Sequence, residues 1–216
     1  MSEICAQLHQ LFHSLDVHSF PIDFSSIPDN GIYLLFEKGE MGHGGKRIVR
    51  IGTHTGNDQL KSRIQQHFLN EVKDRSIFRK NVGRALLNRG NDPFLAQWDL
   101  DLTTREAKQK YSLIVDTDKQ QKVEQQVSSY MRSHFSFVVF EVKSKQLRLD
   151  WESKIISTVS LCQDCCASPN WLGLHSPKEK IRESGLWLVN ELYKQPFDLV
   201  NFSQLAQHIQ QQKFLG

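Results

Sequence analysis

No apolar run in this sequence approaches the roughly 18 residues that cross a bilayer, so no membrane span is expected. The N-terminal "MSEICAQLHQLFHSL" lacks the positive stretch and small-residue cleavage site of a signal peptide. It carries instead an early acid, Glu3, and an amphipathic pattern of Leu8, Leu11, Phe12 and Leu15. The expected compartment is the cytoplasm. Internal repeats are missing, and so is any linker that would split the chain cleanly. At 216 residues, one large domain around one core is the expectation. A hydrophobic share of 39% against 24% charged excludes a disordered chain.

Cysteine is scarce. Cys162, Cys165 and Cys166 cluster in "LCQDCCASPNW", and Cys5 stands alone. The CxxC pair could supply half a zinc site, but a closed site needs four ligands and no second pair exists. Cys5 and His175 would complete it only by folding close. Reduced thiols in a helix-to-loop segment of a cytosolic protein are therefore expected.

Acids are scarce in one stretch. Between Lys61 and Gly90 stand eight bases, Lys61, Arg63, Lys73, Arg75, Arg79, Lys80, Arg84 and Arg89, against two acids, Glu71 and Asp74. That local excess of six is larger than the net charge of +3 on the whole chain, so the remainder is acidic. Clustered bases of this kind suggest a phosphate-binding face. The plainer alternative is a solvated helix surface. Arg79, Lys80 and Arg84, with Lys46, are the expected nucleic-acid contacts.

Residues 31–37 and 46–52 read as two strands joined by a glycine-rich loop, paired as a hairpin. A helix follows, with Asn57 or Asp58 as its cap and Leu60, Ile64, His67 and Phe68 along one side. "SIFRKNVGRALLNRG" reads as another helix, capped by Ser76 and stopped at Gly90. "VEQQVSSYMRSH" is helical, "FSFVVFEV" is the clearest strand, and a helix runs from about Lys145 to Leu161. "SPNWLG" is a loop, "SGLWLVNELY" reads as a helix, and "LAQHIQQQKF" as the last one.

Several residues in this frame bear chemistry. Arg63 and His67 stand four apart, so their side chains point the same way. The arginine can clamp a phosphate through its planar fork, and the histidine can donate to it or move a proton. As an isolated pair they read first as a surface arginine and a half-buried histidine. Glu152 sits in an apolar helix beside Trp151, where a lone carboxylate is either a flanking charge or a divalent-metal ligand. Asn170 by itself is a turn residue. Tyr33 by itself is a strand aromatic, and its phenol, with a pKa of about 10, is a poor base unless cations lie close. Arg50 could be such a cation, as could Lys46. Strand alternation puts Arg50 on one face with Ile48, opposite Val49 and Ile51.

The order of these residues resembles the GIY-YIG nucleases. "GIY" stands at Gly31 to Tyr33, and "RIG", Arg50 to Gly52, stands where the family writes "YIG". Arg63 and His67 match the helix-borne arginine and the histidine four residues on that some members carry. "LDWESKII" matches the helix of the metal-binding glutamate, at Glu152, and "SPNWLG" the later asparagine, at Asn170. The resemblance covers about residues 30–172. It implies an α/β (α+β) fold, a small, largely antiparallel sheet flanked by helices. Residues 1–29 would form a lead-in helix, about 71–110 a basic helical insertion, and 173–216 a helical C-terminal extension. It also implies hydrolysis of a DNA phosphodiester, with RNA left open. Tyr33 would take a proton from water or orient it, and Arg50 or Lys46 would favour its phenolate. Glu152 would hold one Mg²⁺ or Mn²⁺. Arg63 would bind the phosphate with help from His67, and Asn170 would steady Glu152 or the metal's surroundings. Cutting both strands with one such site needs a homodimer or two visits. Restriction, mobile-element and repair roles all fit. Arg50, in place of the usual second tyrosine, supports the competing expectation of a degraded module that binds nucleic acid without cutting it.

Overall fold

The computed structural model describes residues 2–213. At its centre is a four-stranded sheet of order β1-β4-β2-β3, in which every neighbouring pair is antiparallel. The strands are β1 (His18–Ser19), β2 (Gly31–Gly42), β3 (Gly45–Gly52) and β4 (Phe135–Glu141). The hairpin is longer than its apolar pattern suggests, because β2 continues through Lys38–Gly42 to a tight turn at His43 and Gly44. Both turn residues have positive φ, 50° and 77°, as a two-residue hairpin requires.

Alternation along β2 sends successive side chains to opposite faces. Tyr33 and Leu35 face one apolar cluster. Into it pack α2 (Leu60–Phe68), α3 (Ile77–Arg89) and α6 (Thr117–His134), through Ile64, Phe78, Val82 and Val127. Ile32, Leu34 and Phe36 face the other cluster. There α1 (Ser2–His13), α7 (Lys145–Ser160) and α9 (Leu199–Lys213) supply Leu8, Phe12, Ile155, Ile156 and Leu205. The sheet is thus covered by helices on both faces. Two short helices, α4 (Leu95–Trp98) and α5 (Arg105–Tyr111), lie in the polar stretch before α6, and α8 (Glu179–Ser184) precedes α9. No helix among the described residues is long and apolar enough to cross a membrane.

Three local expectations change. Ser76 caps α3 through its side chain as expected, but α2 begins after Gln59 without a side-chain cap. Asp58 has φ 56° and pairs with Asn30 instead. "SGLWLVNELY" is not a helix. Gly185 ends α8 with φ 67°, and Trp187 then lies against β3, its N–H donating to the Val49 carbonyl at 2.8 Å. A buried indole held to a strand edge outweighs the modest helical preference of the segment. Finally, β3 carries an extra residue. Leu35 pairs with Arg50 but Phe36 with Ile48, so Val49 is a bulge. The bulge breaks the two-residue period. Arg50 therefore lies with Val49 on the Tyr33 face, and Ile48 and Ile51 lie opposite.

Candidate active site

At the end of the sheet where β2 begins and β3 ends, a cavity of about 350 Å³ opens. It is lined by Thr53, His54 and Thr55 after β3, by Gln59, Ser62, Arg63 and Gln66 from the α2 segment, and by Leu149 and Glu152 of α7. Each contributor has a local cause. One helical turn puts Arg63 and Gln66 side by side, and Arg63 donates to the Gln66 side chain at 3.2 Å. No carboxylate pairs with Arg63 among the described residues, so its fork remains for another anion. Glu152 reaches over the end of β3, where its Oε1 accepts the Thr53 N–H at 3.0 Å. Its Oε2 has no hydrogen-bond partner among the described residues. Burial pushes the Glu152 carboxyl up to about 7, against the opposing pull of Arg50, the Thr53 N–H and Arg63.

Tyr33 and His67 are buried and do not line this cavity, although each neighbours a residue that does: Tyr33 pairs with Gly52, which precedes Thr53, and His67 follows Gln66. The Tyr33 hydroxyl meets His67 Nε2 at 2.7 Å, and His67 Nδ1 meets the Ser76 hydroxyl at 2.7 Å. Burial drives the His67 pKa well below its ordinary value, with Arg50, Arg63 and Arg79 adding repulsion. The ring is therefore neutral and carries one N–H for two hydroxyl neighbours. Gly52 fixes the tyrosine's position. A Cβ there would stand 2.3 Å from the Tyr33 hydroxyl oxygen, so the phenol lies where any other residue's side chain would begin.

Arg50 is buried with its guanidinium over the Phe78 ring at 4.8 Å. Its Nη1 donates to the Trp187 carbonyl at 2.5 Å, and its Nε is buried without a partner. Its charge acts on both Glu152 and His67.

The remaining expected residues lie elsewhere. Asn170 is exposed and lines none of the cavity. The next residue, Trp171, donates its indole N–H to Glu37, four residues along β2 from Tyr33. Lys46 is exposed and pairs with Met41 near the hairpin turn. Three bases of α3 turn inward, and Arg89 at its end is exposed. Arg79 bonds Glu124, Ser128 and the His67 carbonyl. Lys80 pairs with Asp74, and Arg84 with Asp99. A helix packed between α2, α4 and α6 has few solvated positions, and buried cations need partners. The phosphate-facing stripe expected of these three residues gives way to internal ion pairs.

Sequence reasoning missed Thr53 and His54, although "GTHTG" directly follows the RIG motif at a strand end. Thr53 Oγ1 donates to the Gly31 carbonyl at 2.6 Å, and His54 Nδ1 donates to the Gly56 carbonyl at 2.7 Å. Its Nε2 accepts the Gly31 N–H at 3.3 Å. Ser76 and Trp187 were missed as partners of His67 and Arg50, and no local pattern marks either.

The site suits a hydrated divalent cation. A carboxylate oxygen without a protein partner opens on a polar cavity, and Mg²⁺ keeps several waters while binding one or two carboxylates and substrate phosphate. A family model described as a GIY-YIG domain matches residues 8–214 of the chain. Neither the curated proteins nor the solved structures yield a match.

Proposed function

The chain belongs to the GIY-YIG domain family of nucleases, and from that premise we propose that it is a divalent-metal-dependent endonuclease hydrolysing DNA phosphodiester bonds. The observation that carries this reading is the cavity that Arg63 and Glu152 share, with Tyr33 hydrogen-bonded to His67, which stands on the same helix as Arg63. Mg²⁺ or Mn²⁺ held by Glu152 would stabilise the negative charge that develops on the phosphate and leaving oxygen. Arg63 supplies a planar donor fork for the phosphate. His67, neutral and donating from Nε2 while Nδ1 accepts the Ser76 hydroxyl, holds the Tyr33 oxygen in place. The Tyr33 hydrogen is then free to point at the attacking water, which Tyr33 would orient; to act as base it would first lose that hydrogen to solvent and accept the water's proton as the phenolate. Arg50 takes the place of the usual second tyrosine and keeps positive charge beside Glu152.

Two observations favour a second reading, binding without cleavage. Tyr33 is 1% exposed, and Arg50 is tied to the Trp187 carbonyl. Nicking of supercoiled plasmid separates the two. The parent chain is expected to nick with Mg²⁺ or Mn²⁺ and to stop with EDTA. Tyr33→Phe should slow nicking by about 10²–10⁴-fold, the usual worth of a positioned acid or base. Glu152→Gln should abolish it. Equal, metal-independent behaviour of parent and Glu152→Gln, with DNA retained in a gel shift, would leave binding alone.

A further inference from the structure

At the opposite end of the hairpin, three distant segments bring soft donor atoms together. Helix α1 contributes Cys5 and His9, one turn apart. The β2–β3 turn contributes His43, and the turn after α7 contributes Cys162 and Cys165. Ligand atoms of Cys5, His9, His43 and Cys165 all lie within 4.8 Å of one another. Cys162 Sγ is 3.3 Å from His43 Nε2, Cys165 Sγ is 3.5 Å from His9 Nε2, and Cys5 Sγ is 3.7 Å from His9 Nδ1. The three cysteines are buried.

Without His9, the Cys162–His43 distance of 3.3 Å and the mutual approach of Cys5, His43 and Cys165 within 4.8 Å fit one coordination tetrahedron. Zn–S bonds of about 2.3 Å and Zn–N bonds of about 2.0–2.1 Å give edges of roughly 3.4–3.8 Å. Five side chains compete for four places, and hydrogen bonding decides among them. Both ring nitrogens of His9 already have backbone partners. Its Nδ1 donates to the Cys5 carbonyl at 2.9 Å, and its Nε2 accepts the Ile48 N–H at 3.2 Å. His43 Nε2 meets only a thiol. We propose that Cys5, His43, Cys162 and Cys165 bind one Zn²⁺ as a closed structural site, with His9 packed beside it.

The donor set selects the metal. Three thiolates and one imidazole in a tetrahedral arrangement suit zinc, and a hard cation such as Mg²⁺ prefers oxygen. The site is separate from the catalytic cavity. Tyr33 pairs with Gly52 at one end of the hairpin and Gly42 with Gly45 at the other, about 30 Å apart along β2 at ordinary strand rise. With four protein ligands it has no open position for substrate. Its role is to clamp α1 and the α7 exit to the hairpin turn. The sequence concealed it because the CxxC pair finds its partners 157 and 119 residues upstream of Cys162, at Cys5 and at His43. His175, the partner that sequence would suggest, is exposed and far along another segment.

The test is metal content of the full chain after dialysis against zinc-free buffer. One zinc per chain is expected, released by a thiol-blocking mercurial. Cobalt exchanged into the site should give tetrahedral d–d bands and a sulfur-to-metal charge-transfer band scaled to three thiolates. That band should fall to two-thirds in Cys162→Ser and stay unchanged in His9→Gln and in Cys166→Ser, which alters the exposed neighbour. A parent chain that retains no zinc above buffer after incubation with an excess would overturn the site. So would an octahedral cobalt spectrum. Loss of metal in His9→Gln with full retention in Cys162→Ser would overturn the ligand set.

Discussion

Glu152 carries a cost that can be measured without DNA. Its folded pKa lies at about 7, above the ordinary 4.5. Between those values the folded chain holds a proton that the unfolded chain has lost, so stability falls as pH rises through this window and the full cost is present above it. Glu152→Gln removes the cost. It should be more stable than the parent at pH 8 by ~2 kcal/mol in urea melts, and the difference should vanish below about pH 4. Arg50 opposes that rise. Arg50→Met keeps apolar contact with Phe78 and removes the charge, so the Glu152 pKa should climb further. The metal-dependent rate should then begin at higher pH than in the parent, as a pH–rate profile would record. Gly52→Ala tests a steric claim, because its methyl would meet the Tyr33 ring. Overpacking of this kind costs about 1–3 kcal/mol, and the cost should shrink in a Tyr33→Ala background. Arg63 and His67 stand out in the sequence as a reactive pair one helical turn apart, whereas Tyr33 and Glu152 stand out only through the resemblance to the family's order of residues. Their partners do not stand out, since Thr53, Ser76 and Trp187 act through backbone groups or a single hydroxyl. Arg50's face was misread because one bulged residue, Val49, is invisible in an alternating apolar pattern.

Among the elements, α3 departs furthest from its sequence. Its bases suggested a polar surface, yet the helix sits among α2, α4 and α6, and Gly83 admits the Trp98 ring where a Cβ would collide with it at 2.4 Å. Charge composition does not say whether a cation meets water or a buried acid. Lys80 meets Asp74 within the basic stretch, but the acids of Arg79 and Arg84 come from outside it, Glu124 on α6 and Asp99 after α4. Arg79→Ala should cost about 3–5 kcal/mol in chemical denaturation, because it strands the Glu124 carboxylate in the interior. The salt dependence of DNA binding by the folded fraction should be unchanged, whereas a phosphate contact would lower the slope by about one. The strands and the long helices were legible because apolar periodicity is local. The stretch from Gly185 to Tyr193 was not, since its conformation comes from docking against β3.

For the whole molecule, the C-terminal segment is part of the core around the site. Glu37 accepts hydrogen bonds from Tyr130, Trp171 and Trp187, so one buried carboxylate on β2 gathers α6 and two later segments. Trp187→Ala should cost about 3–5 kcal/mol, a large core truncation, and lower nicking as Arg50 loses its neighbour; melts and the plasmid assay read the two effects. The sheet order has another consequence, in the timing of synthesis. Gly31 pairs with Glu141 across the central ladder, a separation of 110 residues. The β2–β3 hairpin is finished early, but β2 has an open edge until β4 is made. At ordinary elongation rates that wait is roughly 5–20 s. During it, a long apolar strand edge stands available to other chains. A nascent chain halted before Phe135 should therefore bind a holdase chaperone, and one extended past Glu141 should release it.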